Sequence, residues 1–353
     1  MSIEIRAFGK LADGTAVESC TLKNKNGMTA ELLTYGCRIA KLFAPDRSGT
    51  MENVVLGHDT LSEYATGNDV LGALVGRYAN RIGGAEFVID GKTYRVTKNE
   101  GENSLHSAPG GYQDKVWRIK SSRDDSESPS VTFAYHSPEG ECGFPGNVDL
   151  EVTYTLSADN ALKIDYDAKT DAETPLNLTN HSYFNITGNP SKEILSLEMQ
   201  LNADAVTEAD DGLIPTGKLL PVDGTPFDFR SPKTIGRDIG AKDRLLERCG
   251  GYDHNFVLGN STAGVQKAGE IYDPASGRRM LVFTDLPGIQ IYTANSFGPG
   301  MKGNGGVALK SHCAVCMETQ FFPDSVNRVE FPYENLKPGK PFHSTTIYQF
   351  TVG

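Results

Sequence analysis

Two stretches far apart in the chain carry side chains able to move protons. Leu178-Thr179-Asn180-His181-Ser182-Tyr183-Phe184-Asn185 sets a histidine in a dense polar run. Read as a strand, it puts Asn177, Thr179, His181, Tyr183 and Asn185 on one face. Leu178, Phe184 and Ile186 then lie on the other, beside Asn180 and Ser182. Such a polar face is either solvated or lines a wet cleft. Residues 313–320 favour the cleft, because Glu318 interrupts the apolar run Ala314-Val315-Cys316-Met317. A carboxylate buried there without a task would be costly. Alternation places His312, Ala314, Cys316, Glu318 and Gln320 on one face. A histidine and a glutamate delivered by two distant strands supply what general acid and general base catalysis requires.

Other polar clusters are less specific on their own. Asn99-Glu100-Gly101-Glu102-Asn103-Ser104-Leu105-His106 is a polar loop, and His106 alone reads as a surface or turn histidine. Gly76-Arg77-Tyr78-Ala79-Asn80-Arg81-Ile82-Gly83-Gly84 sets two arginines near glycines but lacks the lysine and spacing of a phosphate-binding loop. A guanidinium gripping hydroxyls or a carboxylate and a structural ion pair are equal readings of it. In Gly251-Tyr252-Asp253-His254-Asn255-Phe256, Asp253 and Asn255 would face one way and His254 the other. Cys313 and Cys316 point to opposite sides of a strand, and no second pair completes a metal site. No serine nucleophile elbow is present. The expectation is no metal and no cofactor.

The elements that must hold these residues are strands. Asp90-Gly91 marks a tight hairpin between 85–89 and 93–96, and Ala158-Asp159-Asn160 a second between 150–156 and 162–166. Further strands are expected at 131–136, 194–201, 280–284, 289–294 and 345–352. Helical signals reduce to a capping box at Thr60-Leu61-Ser62-Glu63 and a segment at 238–248. Many strands joined by turns, with no linker and no internal repeat, predict one large antiparallel β domain over residues 1–353.

Composition agrees with this and excludes several classes. Thirty-eight glycines in 353 residues exceed the usual share of roughly 7%. A net charge of -11, with no basic run, argues against nucleic-acid binding. Mean hydropathy is -0.36, and no stretch approaches the ~20 apolar residues of a membrane span. The first residues lack the apolar core of a secretion signal. Six scattered cysteines fit a reducing, cytoplasmic setting rather than a disulfide scaffold.

Taken in order, the motifs resemble the aldose 1-epimerase (galactose mutarotase) family across nearly the whole chain. The resemblance rests on 76–82, Asn103 to His106, Gly143-Phe144-Pro145-Gly146, Asn177 to Asn185, Tyr252 to Phe256, and Glu318-Thr319-Gln320 with Pro323-Asp324. It implies an all-β fold, a large antiparallel β-supersandwich with few short helices and an open cleft for the sugar. It also implies interconversion of the α and β anomers of free hexoses such as galactose and glucose. His181 would be the general acid and Glu318 the general base, with Asn80, Arg81, His106, Tyr183, Asp253 and Gln290 contacting the sugar. A carboxylate and an imidazolium across one cleft are expected to favour each other's charged forms. The implied partner is a small sugar, bound by a monomer or homodimer. The chain departs from the family pattern after His106, where Ser107-Ala108 replaces the usual Gly-Gly, and at Gly111-Tyr112-Gln113-Asp114-Lys115. Three other readings stay open: a hexose-6-phosphate 1-epimerase, which needs clustered cations; a non-catalytic sugar-binding module; and a polysaccharide lyase or hydrolase, for which nothing marks a long groove.

Overall fold

The computed structural model describes residues 2–67, 69–259 and 264–353. Three antiparallel sheets dominate it. The largest has nine strands, in the order Arg118–Arg123, Ser130–Ser137, Val148–Leu156, Ala161–Thr170, Phe342–Val352, Arg278–Thr284, Gln266–Tyr272, Glu198–Leu201 and Lys233–Thr234. The second has six, in the order Tyr183–Phe184, Val315–Gln320, Gly288–Tyr292, Asp253–Leu258, Ala203–Ala209 and Pro215–Pro221. An N-terminal meander of five strands runs from Ile3–Lys10 to Met51–Asn53. α-Helix among the described residues is confined to Leu61–Thr66 and Arg244–Cys249.

One core joins all three sheets. Val152, Ile164 and Tyr348 of the large sheet, Phe256, Ile289 and Met317 of the second, and Leu32 and Leu42 of the meander belong to a single buried cluster. Each such side chain contributes roughly 1.5–3 kcal/mol by leaving water. The strand Val315–Gln320 shows how alternation divides this labour. Val315 and Met317 enter the core, and the Thr319 hydroxyl meets that of Thr346 at 2.5 Å. Cys316 and Glu318 therefore face the other way, Glu318 onto a cavity and Cys316 into a second buried cluster.

Local signals account for the turns. Asp90 and Gly91 both adopt positive φ (50° and 76°), the geometry of a two-residue hairpin turn. They join the paired strands Glu86–Ile89 and Lys92–Arg95. Val148–Leu156 pairs with Ala161–Thr170 around Asn160, again at positive φ. Thr60 and Glu63 form the expected reciprocal capping box.

Several expectations need correction. The 238–248 helix begins only at Arg244, where the Asp243 carboxylate caps it; upstream, Asp238 is held by Lys233 and Arg237 in a turn. Residues 194–201 open with a 3-10 turn, and only Glu198–Leu201 is strand. The 289–294 strand ends at Tyr292, since Ala294 turns to positive φ. The 313–320 strand starts at Val315, so His312, at φ 62°, leaves Glu318's face and meets the Thr293 carbonyl instead. The stretch around His181 is two short strands. Thr179–His181 pairs with Ala73–Val75, whereas Tyr183–Phe184 crosses to pair with Val315–Gln320. At that crossing Gly72 donates its N–H to the His181 carbonyl, and a side chain on Gly72 would lie 2.1 Å from the Ile39 carbonyl oxygen.

Candidate active site

Glu318 is positioned by the sheet itself. It pairs directly with Gln290 on the next strand, and Gln290 pairs with Asn255 on the one after. His181 arrives from the crossing segment, with its Nε2 3.5 Å from Glu318 Oε1. Its ring stacks on Tyr183 (centroids 4.9 Å, planes 22° apart) and meets His106 edge-on at 5.2 Å. Tyr183 in turn stacks on Phe297 at 5.0 Å.

These groups line a cavity of about 820 Å³, within the ~300–1,000 Å³ typical of small-molecule sites. All eight residues singled out from the sequence line it: His181, Glu318, Asn80, Arg81, His106, Tyr183, Asp253 and Gln290. Sequence reasoning missed others on the wall, chiefly Glu100, Tyr292, Phe297, Asp69 and His58. Tyr292 carried a usable signal, because it lies two positions from Gln290 on the same strand face. Phe297 and Asp69 carried none.

The remaining polar residues of the motifs build the frame. Asn177 donates to the carbonyls of Ala79 and Phe321 and accepts from the Phe321 N–H, tying the 76–82 loop to the end of the Glu318 strand. Asp324 accepts from the Gly83 N–H, and its own N–H meets the Arg81 carbonyl. Asn185 donates to the carbonyls of Asn189, Lys192 and Cys313. Neither Asn177 nor Asn185 lines the cavity, although alternation put them on the His181 face. Arg77 is neither a ligand fork nor an ion pair. Its guanidinium donates to the carbonyls of Ser137, Pro138, Pro145 and Gly146 and to the hydroxyls of Ser137 and Thr174. The Gly143–Gly146 turn is therefore a cradle for that cation. His254 packs edge-on against Phe227, away from the cavity, as alternation requires.

Arg81 is gripped at both ends of its fork by Glu100, at 2.6 and 2.7 Å. Burial alone would lower its pKa, but Asp253 and Glu100 outweigh that and raise it, so the cation is secure. Asp253 Oδ1 accepts from Gln290 Nε2 at 2.7 Å, leaving Gln290 Oε1 without a partner. His106 Nδ1 accepts from the Asn80 N–H, which makes its Nε2 a donor. Desolvation, His181 and Arg81 together hold His106 well below its usual pKa, hence neutral. Beside it, Ser107 accepts from the Tyr78 N–H and donates to the Tyr78 carbonyl, pinning the loop that departs from the family pattern.

The ionisation of His181 and Glu318 differs from expectation. His181 and Glu318 are only 5% and 2% exposed, so desolvation exceeds their mutual attraction. Burial pulls His181 down to about 4, against the opposing pull of its own carbonyl and of Asp253. Burial and the Asp253 charge push Glu318 well above the ordinary carboxyl value, with Arg81 partly offsetting them. Both shifts favour the pair with its exchangeable proton on the carboxyl over the ionised pair. Moving that proton to the imidazole gives the ionised pair without changing the net charge. Among the described residues, His181, Cys316 and Glu318 are also the one group whose ligand atoms, within 4.8 Å of one another, could converge on a cation. Burial first, then Glu318 and Asp253, raises the Cys316 thiol well above its usual pKa, which works against that use.

The sequence pattern of the aldose 1-epimerase family matches residues 18–349. The chain belongs to the aldose 1-epimerase family. Among its relatives, the galactose mutarotase of Sus scrofa is 38% identical over 352 residues, covering 100% of this chain and 99% of that one. The aldose 1-epimerase of Escherichia coli K12 is 35% identical, covering 96% of both chains. Solved structures agree. The galactose 1-epimerase of Lactobacillus acidophilus superposes with a TM-score of 0.87 at 27% identity over 99% of both chains. An aldose epimerase homologue from C. elegans gives 0.85 at 33% identity, over 94% of this chain and 98% of that one. This epimerase-family member has the antiparallel β-supersandwich of its relatives.

Proposed function

We propose that this chain interconverts the α and β anomers of free hexoses such as galactose and glucose, with His181 as general acid and Glu318 as general base. The observation that carries the reading is the 3.5 Å approach of His181 Nε2 to Glu318 Oε1 on the wall of a sugar-sized cavity. The ionised form of the pair fits the closed sugar. Glu318 takes the proton of the anomeric hydroxyl while His181 Nε2 protonates the ring oxygen, and the C1–O5 bond breaks to the aldehyde. This leaves a neutral carboxyl and a neutral imidazole, the form that burial favours. Ring opening thus returns the cost of first ionising the pair. After C1–C2 rotates by about half a turn, each group reverses its transfer and the ring closes on the other face. Positioned acid–base groups contribute about 10²–10⁴-fold. No redox change is involved.

Sugar contacts fall to Asn80, Arg81, His106, Tyr183, Asp253 and Gln290. They offer the remaining N–H groups of a cationic guanidinium, a neutral N–H donor, an anionic acceptor, a free amide oxygen and an aromatic face. A phosphorylated sugar suits this wall poorly. Arg77 is spent on carbonyls, and Arg81 and Lys302 face five acids: Glu63, Asp69, Glu100, Asp253 and Glu318. Six free cysteines support a reducing, cytoplasmic setting, and the continuous core supports one domain.

The test is polarimetry of freshly dissolved α-D-galactose and α-D-glucose. The protein should speed the approach to equilibrium, and His181→Ala should lose most of that effect. Sugar binding by calorimetry with no acceleration would instead mark a binding module. Faster turnover of glucose 6-phosphate would favour the phosphorylated substrate.

A further inference from the structure

His181 has a nitrogen on each side of its ring, and one residue of the same strand serves each. Cys316 and Glu318 are two positions apart on one strand face, about 6.4–6.8 Å along the chain. The imidazole bridges that interval, with Nε2 3.5 Å from Glu318 Oε1 and Nδ1 3.5 Å from Cys316 Sγ. Cys316 sits opposite both Tyr183 and Tyr292 in the sheet, the two aromatic rings that flank His181. We propose that Cys316 is a positioning residue: its sulfur accepts the Nδ1–H of His181, which fixes the tautomer and reserves Nε2 for proton exchange. This rests on the acid–base reading above and deepens it.

The chemistry of the cycle requires that arrangement. If the neutral pair exchanges its proton through Nε2, the ring's own proton must be on Nδ1. In the ionised pair Nδ1 keeps its proton and Nε2 gains one. Nδ1–H is therefore constant through turnover, and it needs an acceptor in a buried site. A neutral sulfur is a weak acceptor suited to this place. A carboxylate there would pull the second proton onto the ring and hold it, in the manner that favours imidazolium. Burial and the nearby carboxylates keep the thiol neutral. The carbonyl of His181 itself also favours a proton on the ring, and by covalent geometry Nδ1 is the nitrogen in its reach. Sulfur and carbonyl thus act on the same proton. The other groups facing the ring are His106, Tyr183 and Tyr292, with the charges of Asp253 and Arg38 near enough to shift its titration.

The experiment compares Cys316→Ala and Cys316→Ser with the wild type by polarimetry across pH, together with ¹⁵N spectra of histidine-labelled protein. Cys316→Ala should lower kcat about tenfold, the worth of one net hydrogen bond of roughly 1.4 kcal/mol, with KM little changed. Its acid limb should move to lower pH, and the His181 spectrum should show both tautomers. Cys316→Ser, which keeps an acceptor, should recover most of kcat and the single Nδ1–H tautomer. Wild-type kcat, pH profile and spectrum in Cys316→Ala would overturn the proposal. So would equal impairment in both variants, or an Nε2–H tautomer in the wild type. If His181→Ala or Glu318→Gln retains full activity, it is the acid–base reading that fails.

Discussion

Glu318→Gln exchanges one oxygen for an amide group and leaves the shape of the side chain intact. The carboxyl is 2% exposed, and its Oε2 has no hydrogen-bond partner, so the amide enters without breaking an existing contact. An amide cannot take the anomeric proton. The expected loss is therefore that of a positioned base, about 10²–10⁴-fold in kcat, or roughly 3–5 kcal/mol of barrier. Sugar affinity should be largely kept, because Arg81, Asp253 and Gln290 remain in place. Stability should change in a pH-dependent way. Glu318 has a folded pKa well above 4.5, so its contribution is fully present below the unfolded value and is lost as pH rises through the folded one. Glutamine does not titrate, so the variant's melting temperature should gain on the wild type as pH increases. Polarimetry with saturating α-D-galactose, calorimetric binding and thermal unfolding from pH 5 to 9 measure all three. Near-wild-type turnover would refute the base assignment, and a wild-type melting temperature that gains on the variant's with rising pH would refute the pKa argument.

Two further outcomes follow from the same geometry. The pH profile of kcat/KM should be bell-shaped with a broad top. It should fall below about 4 as His181 takes a second proton, and fall on the alkaline side as Glu318 loses the shared one. A flat profile would contradict an acid–base pair. Arg77→Ala should cost at least about 3 kcal/mol in urea unfolding, since it strands four carbonyls at roughly 1–3 kcal/mol each. A loss under about 1 kcal/mol would mean that water replaces the guanidinium in its cradle.

The chemistry was legible in the sequence because strand alternation is a short-range rule. Glu318 inside an apolar run, with Cys316 on its face, could be read from two-residue periodicity, and Glu318 lines the cavity. The Asp90-Gly91 hairpin and the Thr60–Glu63 cap were legible for the same reason, each being set by neighbouring residues. What failed were features decided at a distance. The break at Ser182 arises because Gly72 captures the His181 carbonyl, a partner over a hundred positions away. Asn177 was placed on the cleft face, and a ligand fork stood equal to an ion pair for Arg77, because polar type alone does not distinguish a sugar hydroxyl from a main-chain carbonyl. The ionisation of the pair was misjudged for a related reason: attraction can be inferred from residue types, whereas desolvation depends on depth.

The row Asn255, Gln290, Glu318 crosses three neighbouring strands in direct register. Its spacing is set by the hydrogen-bond repeat of a sheet, about 4.7–4.9 Å per step, and by no loop. The cavity-lining residues His106 and Glu100 instead sit on connections between strands, which can be rewritten. The loop residues can therefore change while Glu318 and Gln290 keep the pitch of the sheet. A redesign for a different aldose should edit the loops and leave that row untouched.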